Sequence, residues 1–263
     1  MAVFMEMLAD AMQKNHSMLC VGLDPAFAKL PADFQQKEKA FFEFNKYIVD
    51  ATRDLVSCYK PQAAYYAGAN RDDELKMTID YIHKNAPGIP VILDVKRGDI
   101  GSTAEQYARE AFERYQADAV TVNAYMGFDA VKPFLDYAGK GVIILCRTSN
   151  PHSGDLQNLV CDGMPLYQHV AKLVRDQWNY NGNAALVVGA TYPEELRILR
   201  ELCPELPFLV PGIGAQGGDV KAVVTHGAVN GAKLMINSSR GIIFAADPRE
   251  AAKKLRDEIN QYC

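Results

Sequence analysis

The chain has 263 residues, 49% of them hydrophobic and 23% charged, a profile that excludes disordered, collagen-like and low-complexity classes. Lys and Arg number 28 against 32 Asp and Glu, a formal net charge of −4, so neither a nucleic-acid surface nor a polybasic membrane patch is expected. No run approaches the ~18 apolar residues of a membrane span, and the first residues carry Glu6 and Asp10 where a leader has a basic region and an apolar core, so a cytoplasmic protein is expected.

The first element predicted is an amphipathic helix over 4–14. Short apolar runs then recur at 18–23, 57–63, 90–95, 119–124, 141–146, 184–189, 207–211 and 232–237. Helical patterns separate them. Residues 38–55 form a long amphipathic segment, Leu166, Val170, Leu173 and Val174 share one face, and Pro193-Glu194-Glu195 has the chemistry of a helix first turn. Asp219 is placed to cap the helix after the seventh run. The runs start roughly 22 to 43 residues apart, which suits strand–helix units of about 30.

No composition shift or linker marks a boundary, so residues 1–263 are expected to form one domain. Continuous apolar runs suit a parallel sheet covered on both faces. We therefore expect an α/β fold, an eight-stranded (β/α)8 TIM barrel whose bottom is capped by the helix over 4–14. A doubly wound open sheet is the competing arrangement. The six cysteines form no CxxC pair and mostly lie in apolar runs, so packed thiols are expected rather than disulfides. The five histidines show no ligand spacing, no metal site is readable, and no Gly-x-Ser-x-Gly elbow supports a serine triad.

In such a barrel, function belongs at the C-terminal ends of the strands. Run one ends Gly22-Leu23-Asp24-Pro25, run two holds Lys60, and run three ends Asp94-Val95-Lys96-Arg97-Gly98-Asp99. Asp94 and Lys96 are two apart, so on a strand they share a face. A charged pair after Val91-Ile92-Leu93 is costly inside a barrel unless paired or used. Lys60 can reach the same space, and Asp99 follows in the loop. The bland reading is a buried ion-pair network that sets register; the functional one is a protonated lysine held beside a substrate.

The seventh run opens into Gly212-Ile213-Gly214-Ala215-Gln216-Gly217-Gly218, which formally matches the dinucleotide fingerprint G-x-G-x-x-G. The match fails on context, because it lies late in the chain and Asn237 and Ser238 stand where an acid is required. The glycines still let backbone N–H groups approach an anion. Loops after strands seven and eight often bind phosphate, and Arg240 sits in the second. A pair of tight turns with a surface arginine is the alternative.

The segment Asp94-x-Lys96-Arg97-Gly98-Asp99-Ile100-Gly101-Ser102-Thr103-Ala104 closely resembles the orotidine 5′-phosphate decarboxylase family, in its longer bacterial form. Gly22-Leu23-Asp24-Pro25, Lys60, Arg147-Thr148-Ser149-Asn150-Pro151, the glycine-rich loop and Asn237-Ser238-Ser239-Arg240-Gly241 extend the resemblance in order along nearly the whole chain. It implies decarboxylation of orotidine 5′-phosphate to UMP without cofactor or metal. Lys96 would protonate C6, Asp94 would lie beside the departing carboxylate, and Lys60 would order the charges and contact the ribose. Asp24 would bind the ribose side, Thr148 or Ser149 the pyrimidine edge, and Gln216, Arg240 and the Gly241 amide the phosphate. Asp99, Ile100 and Thr103 would reach into a partner's site, making a homodimer with shared active sites. Gln62 departs from the residue types seen elsewhere in the family.

The Asp-x-Lys-x-x-Asp core also occurs in magnesium-dependent sugar-phosphate decarboxylases and aldolases of the same superfamily. Those relatives carry an acidic ligand near strand two, where this chain has Lys60 and no Asp or Glu until Asp72. A phosphate-sensing barrel without chemistry is a third possibility, against which the intact Lys60, Asp94, Lys96 and Asp99 argue.

Overall fold

The computed structural model describes residues 3–213 and 218–263. The chain opens with helix α1 (Val3–Asn15) and then alternates strands with helices. The strands are β1 (Leu19–Leu23), β2 (Cys58–Pro61), β3 (Ile92–Arg97), β4 (Ala119–Val122), β5 (Gly141–Arg147), β6 (Ala184–Val188), β7 (Phe208–Pro211) and β8 (Leu234–Ser238). The principal helices between them are α2 (Ala40–Thr52), α3 (Asp72–Asn85), α4 (Gly101–Arg109), α5 (Phe128–Leu135), α6 (Leu166–Leu173), α7 (Pro193–Leu202) and α8 (Val220–Gly227). After β8 come the single turn α9 (Arg240–Ile243) and α10 (Pro248–Asn260).

All neighbouring strands are parallel, in the order β2-β1-β8-β7-β6-β5-β4-β3. The two ends of that order meet. Bridges Tyr59–Val91 and Gln62–Asp94 join β2 to β3, and the Tyr59 N–H donates to the Pro90 carbonyl at 3.0 Å. Closure decides for the barrel, since an open sheet would leave β2 and β3 as unpaired edges.

Side chains alternate between the two faces of each strand. Val21, Leu93, Val120, Ile144, Leu186, Val210 and Ile236 face outward into the core under the helices. Cys20, Cys58, Ile92, Ala119, Ile143, Ala185, Leu209 and Met235 face inward and form the floor of the barrel. Phe4, Met5 and Leu8 of α1 close that floor from below. The fit requires a glycine at 141, because a Cβ there would stand 2.8 Å from Phe4 Cγ. The expected capping helix is therefore present, one residue longer at each end.

Local chemistry sets the helix limits. Pro193 occupies the first turn of α7 with Glu194 and Glu195 beside it, and Asp219 accepts the Ala222 N–H at 3.3 Å as the cap of α8. The long segment expected over 38–55 is shorter, ending where Leu55 N–H turns back to the Thr52 carbonyl. No described helix is long and apolar enough to cross a membrane. All six cysteines are free, with Cys20, Cys58, Cys146 and Cys203 buried.

Candidate active site

Above the apolar floor the inward-facing residues turn polar. Lys60 on β2, Asp94 on β3 and Thr121 on β4 are 4%, 6% and 1% exposed. Lys60 Nζ donates to Asp94 Oδ2 at 2.8 Å, and Lys96 Nζ donates to Asp94 Oδ1 at 2.6 Å. The carboxylate is thus clamped between two ammonium groups. Burial by itself would push the Asp94 carboxyl up, but Lys60 and Lys96 outweigh it and hold it well below the usual carboxylate range. Burial would likewise pull Lys60 down. The attraction of Asp94, followed by that of Asp24, instead raises it above the ordinary lysine value. The centre is a fixed alternation of ionised groups, with Lys96 half-exposed toward the mouth.

Lys96 reaches Asp94 by a route that strand alternation does not describe. β3 bulges between Leu93 and Arg97, and Lys96 takes a left-handed backbone with φ +50. Arg97 then rejoins β4 opposite Val122. Its guanidinium makes a bidentate pair with Glu110, the Nη2–Oε2 contact being 2.8 Å, and lies 4.4 Å from the Tyr107 ring centroid. That pair anchors the start of the 98–100 loop to the helix following it.

Asp24 follows β1 at the rim, and its Oδ1 is buried without a hydrogen-bond partner among the described residues. Gly22 beneath it is required by a close approach: a Cβ would lie 2.7 Å from Ser239 Cβ, and Ser239 Oγ donates to the Gly22 carbonyl at 3.2 Å. Gln62 has an architectural part, its Oε1 accepting the Ala64 N–H at 3.3 Å to cap a short helix, Ala63–Ala67.

Thr148 and Ser149 leave β5 over a buried cation. Arg147 is 1% exposed, pairs with Glu195, stacks 4.0 Å from the Tyr192 ring centroid, and donates to Gln157 Oε1 at 3.1 Å. Gln157 in turn accepts the Thr148 N–H at 2.9 Å and donates to Thr148 Oγ1 at 2.8 Å. The Thr148 segment is therefore held in place before any ligand arrives.

Asp99, Ile100 and Thr103 make no hydrogen bond or ion pair with Lys60, Asp94 or Lys96 of their own chain among the described residues. Asp99 Oδ1 accepts the Ile100 N–H at 2.9 Å, while Ile100 and Thr103 point to the surface. Arg240 and Gly241 are exposed in the single turn after β8 and make no ion pair among the described residues. Gln216 lies outside the described residues. Among the described residues flanking it, the Gly218 N–H donates to the Gly212 carbonyl at 3.2 Å. A cavity of about 770 Å³ lined by Met5, Leu8, Met12, Met18 and Leu206 lies at the opposite end of the barrel, remote from these charges.

Two contributors escape a reading of the sequence by strand ends. Thr121 is the one polar residue in the β4 run Ala119-Val120-Thr121-Val122, and period-two alternation from Ala119 would have put it inside. Gln157 carries no such signal, because its role depends on a loop fold.

Residues 17–255 match the profile of the orotidine 5′-phosphate decarboxylase / HUMPS family. The chain is 55% identical to the orotidine 5′-phosphate decarboxylase of Ralstonia pickettii strain 12J, with 98% of each chain covered. It is 57% identical to that of Azoarcus sp. strain BH72, covering 98% of this chain and 99% of that one. Among solved structures, the OMP decarboxylase of Leishmania donovani superposes with a TM-score of 0.88 at 42% identity, covering 99% of this chain and 98% of that one. The UMP synthase of the same organism superposes at 0.91 with 43% identity; all of this chain is covered, but it spans only 57% of that one.

Proposed function

Because this chain belongs to the orotidine 5′-phosphate decarboxylase / HUMPS family, we propose that it converts orotidine 5′-phosphate to UMP and carbon dioxide in pyrimidine biosynthesis, as a cytoplasmic enzyme. The observation that carries this reading is the buried Asp94 carboxylate held between Lys60 and Lys96 below the barrel mouth. The bond from C6 of the pyrimidine to its carboxylate breaks, its electron pair stays in the ring plane at C6, and carbon dioxide leaves. Lys96 then gives one ammonium proton to C6 and becomes neutral. Ring carbonyls cannot delocalise an in-plane pair, so catalysis rests on a charge array fixed in advance. Asp94 faces the departing carboxylate and disfavours the bound ground state by like-charge repulsion.

The remaining roles follow position. Asp24 offers its unpartnered buried oxygen to a ribose hydroxyl, and Lys60 contacts the ribose from below. Thr148 or Ser149 meets the pyrimidine edge. Arg240, the Gly241 amide and Gln216 hold the phosphate, whose binding energy is spent on orienting the ring. No cofactor is assigned to the reaction. We further propose that residues 1–263 act as one domain and that the enzyme works as a homodimer, with Asp99, Ile100 and Thr103 completing the partner's site. The exposure of Ile100 and Thr103 supports this.

The test is a spectrophotometric assay of orotidine 5′-phosphate in excess EDTA. Turnover should persist. Activity lost to the chelator and restored by magnesium would favour a sugar-phosphate lyase of the same superfamily.

A further inference from the structure

β3 carries two more residues than the stretch of β4 it faces: Leu93 pairs with Val120, yet Arg97 pairs with Val122. The main-chain donors of Val95 and Lys96 therefore have no β4 carbonyl in register. Both turn to a single atom, Thr121 Oγ1, at 3.0 Å each. The same hydroxyl donates its proton to Asp94 Oδ1 at 2.8 Å. A hydroxyl has one proton and two lone pairs, so all three positions of this one are taken, in a place closed to water.

We propose that Thr121 is a positioning residue for the decarboxylation. Its hydroxyl stabilises the left-handed turn at Lys96 and orients the Asp94 carboxylate, so that the ammonium destined for C6 is aimed before substrate arrives. The inference rests on the decarboxylase reading above. Without the hydroxyl, two buried N–H groups lose their acceptor and Lys96 loses the restraint that keeps it at φ +50. The ammonium would then leave its place 2.6 Å from Asp94. Groups assigned to the ribose and the phosphate lie on β1, β2 and the loops after β7 and β8, so ground-state binding should survive.

The hydroxyl and the methyl of Thr121 can be separated. Thr121→Val keeps the volume and removes the hydroxyl; Thr121→Ser keeps the hydroxyl and removes the methyl. Steady-state kinetics with orotidine 5′-phosphate should show kcat lowered roughly 10- to 100-fold in Thr121→Val, because small misplacements of a reacting group cost on that order. KM should stay within about 3-fold, and Thr121→Ser should stay within about 3-fold of wild type in both. Wild-type kcat in Thr121→Val, equal losses in Val and Ser, or a change confined to KM would each overturn the proposal. If Thr121→Val does not fold, Thr121→Ala against Thr121→Ser isolates the same hydroxyl and carries the same expectation. A wild-type enzyme that releases no carbon dioxide from the substrate would instead remove the decarboxylase reading itself.

Discussion

Asp94 keeps its charge at 6% exposure because two ammonium groups face it, and this has a direct pH signature. Its folded affinity for protons is below its ordinary value of 3.8, so the unfolded chain binds a proton at higher pH than the folded one. The stability contributed is full above about pH 4 and is lost as pH falls further. Lys60 has the opposite sign: its share is full below its ordinary 10.5 and is lost only as pH rises beyond it. Asp94→Asn leaves Lys60 buried without its partner and should cost about 3 kcal/mol. Urea melts should show that deficit constant from about pH 5 to 9 and shrinking below about pH 4. A deficit that persists unchanged in acid would mean that Asp94 is not held ionised. Arg240→Ala should lower kcat/KM roughly 10- to 100-fold for the phosphorylated substrate and leave turnover of the corresponding nucleoside nearly unchanged. Equal losses for both substrates would make Arg240 structural. Lys60, Asp94 and Lys96 were legible because charges at the ends of apolar runs stand out. The left-handed turn at Lys96 was not: lysine has no preference for it, and the hydroxyl that stabilises it comes from another strand.

At the scale of elements, each of the eight apolar runs contains or overlaps a barrel strand, and the helix under the floor lies where its pattern placed it. The period of side chains carries that information locally. The hairpin joining Val160–Cys161 to Met164–Pro165 also had a signal in Asp162-Gly163, both at positive φ. That signal is too weak to mark a hairpin, because the flanking strands are only two residues each. The bulge in β3 could not be read in the same way, since it exists only against β4. The floor yields its own prediction. Gly141→Ala drives a methyl into the Phe4 ring and should destabilise by about 1–3 kcal/mol, seen as a lower Tm. Activity at low temperature should be unchanged, because the mouth lies at the other end of the strands. Full stability in Gly141→Ala would show that α1 does not seat tightly there.

At the scale of the molecule, several apolar side chains are exposed beside the mouth. Ile100, Tyr125, Met126 and Phe128 are exposed on the segments following β3 and β4, and Met126 Cε lies 3.5 Å from where a Gly98 Cβ would stand, next to Asp99. The homodimer proposed above requires a two-fold partner on this side of the barrel, with each Asp99 serving the other chain's Lys96. Lys96→Ala and Asp99→Asn enzymes should then each be nearly inactive. Mixed in equal amounts under conditions shown to exchange subunits, they should recover roughly a quarter of wild-type activity, because half the dimers hold one intact site. No recovery would place Asp99 in the service of its own chain. The proposal of this arrangement rests on family resemblance, since one chain's sequence does not say which of its exposed residues meet another.

The junction between β2 and β3 is the one place in the described sheet where isolated bridges replace a continuous ladder. The Lys60–Asp94 pair crosses that same junction. The barrel is in effect a hoop whose clasp includes the ion pair proposed above for the chemistry. A ligand that draws on either charge should therefore change how readily the wall opens at this junction. The amide of Tyr59, which bonds across the clasp to Pro90, would report it by slowing its exchange with solvent when the mouth is filled.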